Sequence, residues 1–282
     1  MPAITEWPLQ QIETNGIVAN TAIVGEGPAI LLLHGFPHTW RLWTDVIPAL
    51  ARHHRVIAPD LRGLGASTRP VDGYDAASLA TDAEGLLDVL GEPQADVVGI
   101  DLGTSPAFLL AMRRPSRVTR LVVMESVLGT LPGAEDFLAG GPPWWFGFHQ
   151  APDLAEAVLT GNEASYIGWF LSAGTLGRGV PPDIHRYFVN AYTGRGALRS
   201  AFAHYRAMPT TARQIAAATA KSRLTVPTLA IGSHPVGDAL ARQLRPLADD
   251  LTEHVIADCG HIIPLDRPDL LIPLLLRFLS GT

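Results

Sequence analysis

The sequence predicts an α/β fold, a mostly parallel twisted sheet with helices on both faces, and three observations carry that prediction. Short apolar runs of strand length alternate with stretches of helical spacing along most of the chain. With 282 residues, 47% of them hydrophobic, the chain can bury a sizeable core. Residues 95–107 read as strand, sharp turn and helix in immediate succession, the punctuation of a parallel βα unit.

Residues 4–27 hold two alternating segments separated by Asn15-Gly16, a dipeptide that favours the positive φ angles of a hairpin turn. They form an antiparallel pair at one sheet edge. The wholly apolar run 29–33 has the pattern of a strand covered on both faces, and His34-Gly35-Phe36-Pro37 ends it. Val46, Ile47 and Leu50 mark a helix at 44–52. The strand 55–59 runs into Asp-Leu-Arg-Gly-Leu-Gly-Ala-Ser at 60–67. Leu79, Ala83, Leu86, Leu87 and Leu90 repeat with helical period over 78–90, and Gly91 and Pro93 stop the run. A strand at Val97 and Val98, a helix at 106–113 and a strand at 117–124 follow.

The rhythm breaks after Glu125. Residues 126–222 give no strong strand signal but several helical stretches, and they carry an aromatic set that includes Trp144, Trp145, Phe146, Phe148, Tyr166, Trp169, Phe170 and Tyr205. Helices that roof the active edge of a sheet use aromatics in this way, as apolar walls with a few polar tips. Strand signals resume at 226–232 and 253–257, and a helix at 269–280 closes the chain. The domain reading is a core at 1–126, a helical cap or lid at 127–222, and the rest of the core at 223–282.

The net charge of −6 is scattered, with no basic block, which speaks against nucleic acid or an anionic membrane as partner. The single cysteine, Cys259, excludes an internal disulfide framework, and no cysteine and histidine spacing suggests a zinc site, so no metal is expected. Residues 1–20 lack a basic start followed by an apolar core, hence no signal peptide is expected and the cytoplasm is the default location. The most apolar run, 270–279, is too short to span a bilayer.

The chemistry concentrates around the turn after the strand at 97–98. A bend this abrupt strains its central residue and leaves no room for side chains two positions before and after it, where Gly99 and Gly103 stand. The central residue is Asp101. A carboxylate needs no base to become a nucleophile and can displace a leaving group from saturated carbon. His261, directly after the last strand, can face the turn as a base. Glu125, at the end of the strand 117–124, and Asp238, in the loop after Gly232, compete to orient that histidine. Both loops reach the same sheet edge, and geometry read from sequence does not choose between them.

His34-Gly35-Phe36-Pro37, the segment 60–67, Gly99-x-Asp101-x-Gly103, Glu125, Tyr205 and Gly260-His261 occur together and in order. Over almost its whole length the chain thereby resembles the α/β-hydrolases of the epoxide hydrolase and haloalkane dehalogenase group, and most closely the epoxide hydrolases. The resemblance implies the α/β-hydrolase fold with a lid inserted after the strand that ends at Glu125. It makes Asp101 the nucleophile at the elbow and His261 the base. A close subgroup places its charge-relay acid where this chain has Glu125, which is preferred on that ground, with Asp238 as the alternative. The oxyanion donors map to the backbone N–H groups of Phe36 and Leu102. A lid tyrosine followed by arginine, which polarises the epoxide oxygen, maps to Tyr205 in Ala203-His204-Tyr205-Arg206. The second oxygen ligand of the lid has no clear match. Trp145 occupies its place, with His149 and Tyr166 as nearby substitutes, and Trp40 joins these three as a pocket residue.

The implied reaction converts a small apolar epoxide to a vicinal diol through an aspartyl ester that a His261-activated water hydrolyses, without a cofactor. A homodimer is left open. A dehalogenase using the same Asp, His and acid is the alternative, although haloalkane dehalogenases carry a tryptophan directly after the nucleophile and this chain has Leu102. The arginines with which fluoroacetate dehalogenases hold a carboxylate have no counterpart at 102–107. Ile100, where histidine is common in the group, is expected to point away from substrate. A ligand-binding protein that kept the fold without turnover is the alternative from another class. An esterase using Ser105 is disfavoured, because that serine lies beyond the tip of the turn.

Overall fold

The computed structural model describes residues 7–281. The expected strand start at Ile4, and the first residues of the segment searched for a signal peptide, lie outside them. β1 (Leu9–Thr14) and β2 (Ile17–Val24) form the antiparallel hairpin, with Asn15 and Gly16 at φ +43° and +75° in its turn. β2 also pairs antiparallel with β4 (Arg55–Pro59). All later pairings are parallel: β4 with β3 (Ala29–Leu33), β3 with β5 (Ala95–Ile100), β5 with β6 (Val118–Met124), then β7 (Thr228–Gly232) and β8 (Leu251–Val255). The spatial order is β1-β2-β4-β3-β5-β6-β7-β8, so the carboxyl end of β5 opens at the middle of the sheet.

β3, β5 and β7 are buried along their full lengths, which is why β3 is an unbroken apolar run and why β5 and β7, apart from Asp96 and Thr228, show no polar alternation. Helices cover both faces. Among them α2 (Ala76–Val89) packs on α3 (Thr104–Arg113), and α1 (Ile47–Leu50) packs on α11 (Pro268–Ser280). Between β6 and β7 come α4 (Trp144–Gln150), α5 (Leu154–Leu159), α6 (Glu163–Ala173), α7 (Pro182–Ala191) and the 25-residue α8 (Arg195–Thr219), with no strand among the described residues there. α8 lies against α4 and α5 and also reaches α2 and α3, which ties the insertion to the core. Among the described residues no helix is long and apolar enough to cross a membrane.

Three local expectations differ from the structure. The helix expected at 44–52 is a 3-10 turn, Trp40–Trp43, followed by the four-residue α1. Thr39 caps the turn by accepting the Arg41 N–H, and the Thr44 hydroxyl closes it on the Arg41 carbonyl. The last strand starts and ends two residues early, because β8 is an edge strand whose mostly exposed residues give little alternation to read. Two short helices, α9 (Ala239–Leu244) and α10 (Ile263–Asp266), had no period long enough to detect.

Candidate active site

The turn from β5 into α3 holds Asp101 at φ +54°, in the left-handed region that few residues other than glycine occupy. Glycines on either side make so tight a turn sterically feasible. A Cβ on Gly103 would stand 2.3 Å from the carbonyl oxygen of Leu33, so the elbow is pressed onto the end of β3. A Cβ on Gly35 would meet Asp101 Oδ1 at 2.1 Å. The loop after β3 can therefore slide beside the carboxylate, and it brings the Phe36 N–H to 2.8 Å from Oδ1. The Leu102 N–H adds a smaller favourable contribution to the charge of the same carboxylate. His34 locks this loop. Its ring is buried and kept neutral, its pKa lowered to about 4 by burial, so Nδ1–H donates to the Gly35 carbonyl while Nε2 accepts the Leu61 N–H.

His261 comes from the loop between β8 and α10. Its Nε2 lies 3.3 Å from Asp101 Oδ2 and its Nδ1 lies 3.0 Å from Glu125 Oε2. Glu125 follows β6 at φ +44°, and its other oxygen accepts the backbone N–H of Ser233, just past β7. The Ser233 hydroxyl donates to the carbonyl of Gly260, the residue before His261. Asp101 and His261 keep 22% and 24% of their side-chain surface accessible while Glu125 keeps none, so a ligand can reach the first two and not the third.

Residues 28–268 match the family described as alpha/beta hydrolase fold. The chain belongs to the α/β-hydrolase family. A soluble epoxide hydrolase of Corynebacterium sp. (strain C12) is 33% identical to this α/β-hydrolase over 290 residues, covering 98% of each chain. A fluoroacetate dehalogenase of Burkholderia sp. is 29% identical over 206 residues, covering 70% of this chain and 67% of its own. Among solved structures, the epoxide hydrolase CorEH without ligand superposes with a TM-score of 0.87 at 29% identity, over 97% of this chain and 99% of that one.

Electrostatics in this α/β-hydrolase set the charge states of the pair. Burial pushes the Asp101 carboxyl upward, but His261 and the amides of Phe36 and Leu102 outweigh it and hold the pKa below the usual carboxylate range. Burial opposes the charge on His261 as well, yet two carboxylates in hydrogen-bond contact raise its pKa to about 10. The resting pair is a carboxylate beside an imidazolium.

The insertion brings rings onto the Phe36 ring: Tyr205 of α8 at 5.9 Å between centroids, His149 of α4 at 5.4 Å and Phe170 of α6 at 5.4 Å. Tyr205 is buried, with burial first and the Asp101 charge second driving its pKa well up, so the phenol keeps its proton. His149 packs against Tyr205 at 4.3 Å and bonds the Tyr166 hydroxyl. Trp145 sits one layer out, against Trp169 at 5.9 Å and Phe170 at 5.4 Å. Two of the expected residues are not brought there. The Trp40 ring lies under Arg41 and against Trp7, and Asp238 is half exposed with its carboxylate on Arg242 at 3.2 Å. Ile100 is buried within β5, and Ser105 is on α3 rather than at the tip of the elbow.

Sequence reasoning missed two groups that hold the site. Ser233 fixes both Glu125 and the His261 loop, and its one signal is its place after the terminal glycine of β7. Arg178 reaches from the insertion to Asp266, which also accepts the Gly260 N–H at 2.7 Å, and nothing local in the sequence marks that contact.

Proposed function

We propose that this α/β-hydrolase opens an apolar epoxide to a vicinal diol, with Asp101 as nucleophile, His261 as base, Glu125 as the acid that orients it, and the chain from 127 to 222 as the lid. The observation that carries the reading is the Asp101 carboxylate itself. It sits at the tip of the elbow with its pKa held below the usual carboxylate range, 2.8 Å from the Phe36 amide and 3.3 Å from His261. The epoxide relatives support the substrate class.

In the first step an Asp101 oxygen bonds to a ring carbon as the C–O bond of the epoxide breaks, and its electron pair stays on the departing oxygen. The Tyr205 hydroxyl stabilises that alkoxide as it forms. Ester formation removes the Asp101 charge, one of the two that kept His261 protonated, so its pKa falls. The proton it releases is the one the alkoxide takes up. Neutral His261 then accepts a proton from water, and the hydroxide adds to the ester carbonyl while the Phe36 and Leu102 amides hold the oxyanion. Collapse breaks the carbonyl carbon–O(alkyl) bond, and the alcohol oxygen leaves with the remaining carboxyl proton. The sum is epoxide plus water to diol, with carboxylate and imidazolium restored.

A dehalogenase would use the same Asp101 and His261, and the 29% identity to a fluoroacetate dehalogenase over 70% of this chain is the observation that favours it. Multiple turnover in heavy-oxygen water followed by peptide mapping separates the outcomes. Label in the Asp101 carboxylate with diol produced from styrene oxide supports the proposal. Halide release from haloalkanes without diol formation replaces it by the alternative. Unlabelled Asp101 despite turnover overturns the ester route.

A further inference from the structure

We propose that Tyr192 is a positioning residue through which the insertion fixes the Phe36 amide against Asp101. This rests on the reading above, in which that amide holds the oxyanion of ester hydrolysis. The loop after β3 is gripped from two sides. On the core side His34 donates to the Gly35 carbonyl, which also accepts the His38 N–H at 3.0 Å. On the other side Tyr192, the residue that caps the end of α7, donates its hydroxyl to the His38 carbonyl at 2.5 Å, across 154 residues of chain. Both residues are buried. Burial, and then the charges of Asp60 and Asp101, drive the Tyr192 pKa well up, so the phenol keeps the proton it donates.

The Phe36 ring extends the grip. It is buried against five rings, all of them from the insertion: Tyr192 at 5.2 Å between centroids, His149 and Phe170 at 5.4 Å, Tyr205 at 5.9 Å and Phe202 at 6.2 Å. The core thus supplies the Phe36 backbone, and the insertion surrounds its side chain. Such apolar contact is non-directional, whereas the Tyr192 hydroxyl adds a directional tie two residues further along the loop. Without that tie the buried His38 carbonyl is left unpaired, and the loop shifts to find another donor.

The two chemical steps feel this loop differently. The Phe36 N–H already lies 2.8 Å from Asp101 Oδ1 before substrate arrives. It stabilises the carboxylate before attack, so a looser amide does not weaken the nucleophile. In ester hydrolysis negative charge develops on the carbonyl oxygen, and a donor out of place costs rate directly.

Tyr192→Phe keeps the ring beside Phe36 and removes the hydroxyl alone. Single-turnover rates with styrene oxide should show ester hydrolysis slowed about ten- to a hundredfold, the cost of a group displaced by about an ångström, and ester formation little changed. NMR of the ligand-free variant should find the Phe36 amide proton moved upfield as its bond to Asp101 lengthens, which a residue that only stabilises the fold would not cause. Phe36→Leu, which keeps the amide and gives up the ring contacts, should show the same split between the steps. Unchanged hydrolysis in Tyr192→Phe, or a Phe36 resonance that stays in place, overturns the assignment, as does equal loss in both steps that follows the folded fraction. If Tyr192→Phe does not fold, Phe36→Leu decides on the same terms, and hydrolysis as fast as in wild type overturns it. If no apolar epoxide gives any ester, the epoxide reading falls, while the Phe36 resonance still decides whether Tyr192 positions that amide.

Discussion

The Nδ1 of His261 lies 3.0 Å from Oε2 of Glu125, whose other oxygen is taken by the Ser233 amide. Both Glu125 oxygens are thus committed, one to an immobile backbone group, so the carboxylate fixes the imidazole's orientation and stabilises its charge. Asp238, the other acid at this sheet edge, instead pairs with Arg242 on the surface.

Glu125→Gln should therefore slow ester hydrolysis by about 10²- to 10⁴-fold, the range for losing an oriented acid–base group. Asp238→Asn should leave both steps unchanged. Pre-steady-state measurement of the two rate constants in each variant checks this, and a reversed result would reassign the acid.

The division between what the sequence disclosed and what it hid follows the range of the interactions. The elbow was legible because Gly99, Asp101 and Gly103 act within five residues, and the buried strands because they are short, mostly apolar stretches without polar alternation. The choice between Glu125 and Asp238 was not, since it depends on the Ser233 amide, 108 residues from Glu125. The placement of Trp40 against Trp7 was hidden for the same reason: a tryptophan near a functional loop looks alike whether it faces ligand or core.

The charge on His261 predicts a pH dependence of stability. Its pKa is about 10 in the folded chain against 6.5 in the unfolded one, so its contribution is complete below pH 6.5 and is lost as pH climbs toward 10. Chemical denaturation across that window should show wild type losing stability relative to His261→Gln. If the difference between the two proteins is flat, His261 is not held protonated by its two carboxylates.

Both neighbours of His261 are tied to the insertion. Ile262 donates its N–H to the Gly174 carbonyl at 2.8 Å, and Gly260 donates to Asp266, whose two oxygens take Nε and Nη2 of Arg178 at 2.7 and 2.6 Å. Gly260 fits only because it has no side chain, since a Cβ there would stand 2.3 Å from the Gly174 oxygen. In the proposed mechanism Arg178 acts as a positioning residue, because it holds the loop of His261 and not the elbow of Asp101. Arg178→Ala should slow ester hydrolysis about ten- to a hundredfold, the cost of misplacing a catalytic group by about an ångström, and spare ester formation. Arg178→Lys, which keeps the charge but loses the two-pronged grip on Asp266, should fall between them. Rates of the two steps, measured beside a thermal melt, decide the matter. Equal loss in both steps, following the folded fraction, would show that the clamp only stabilises the fold.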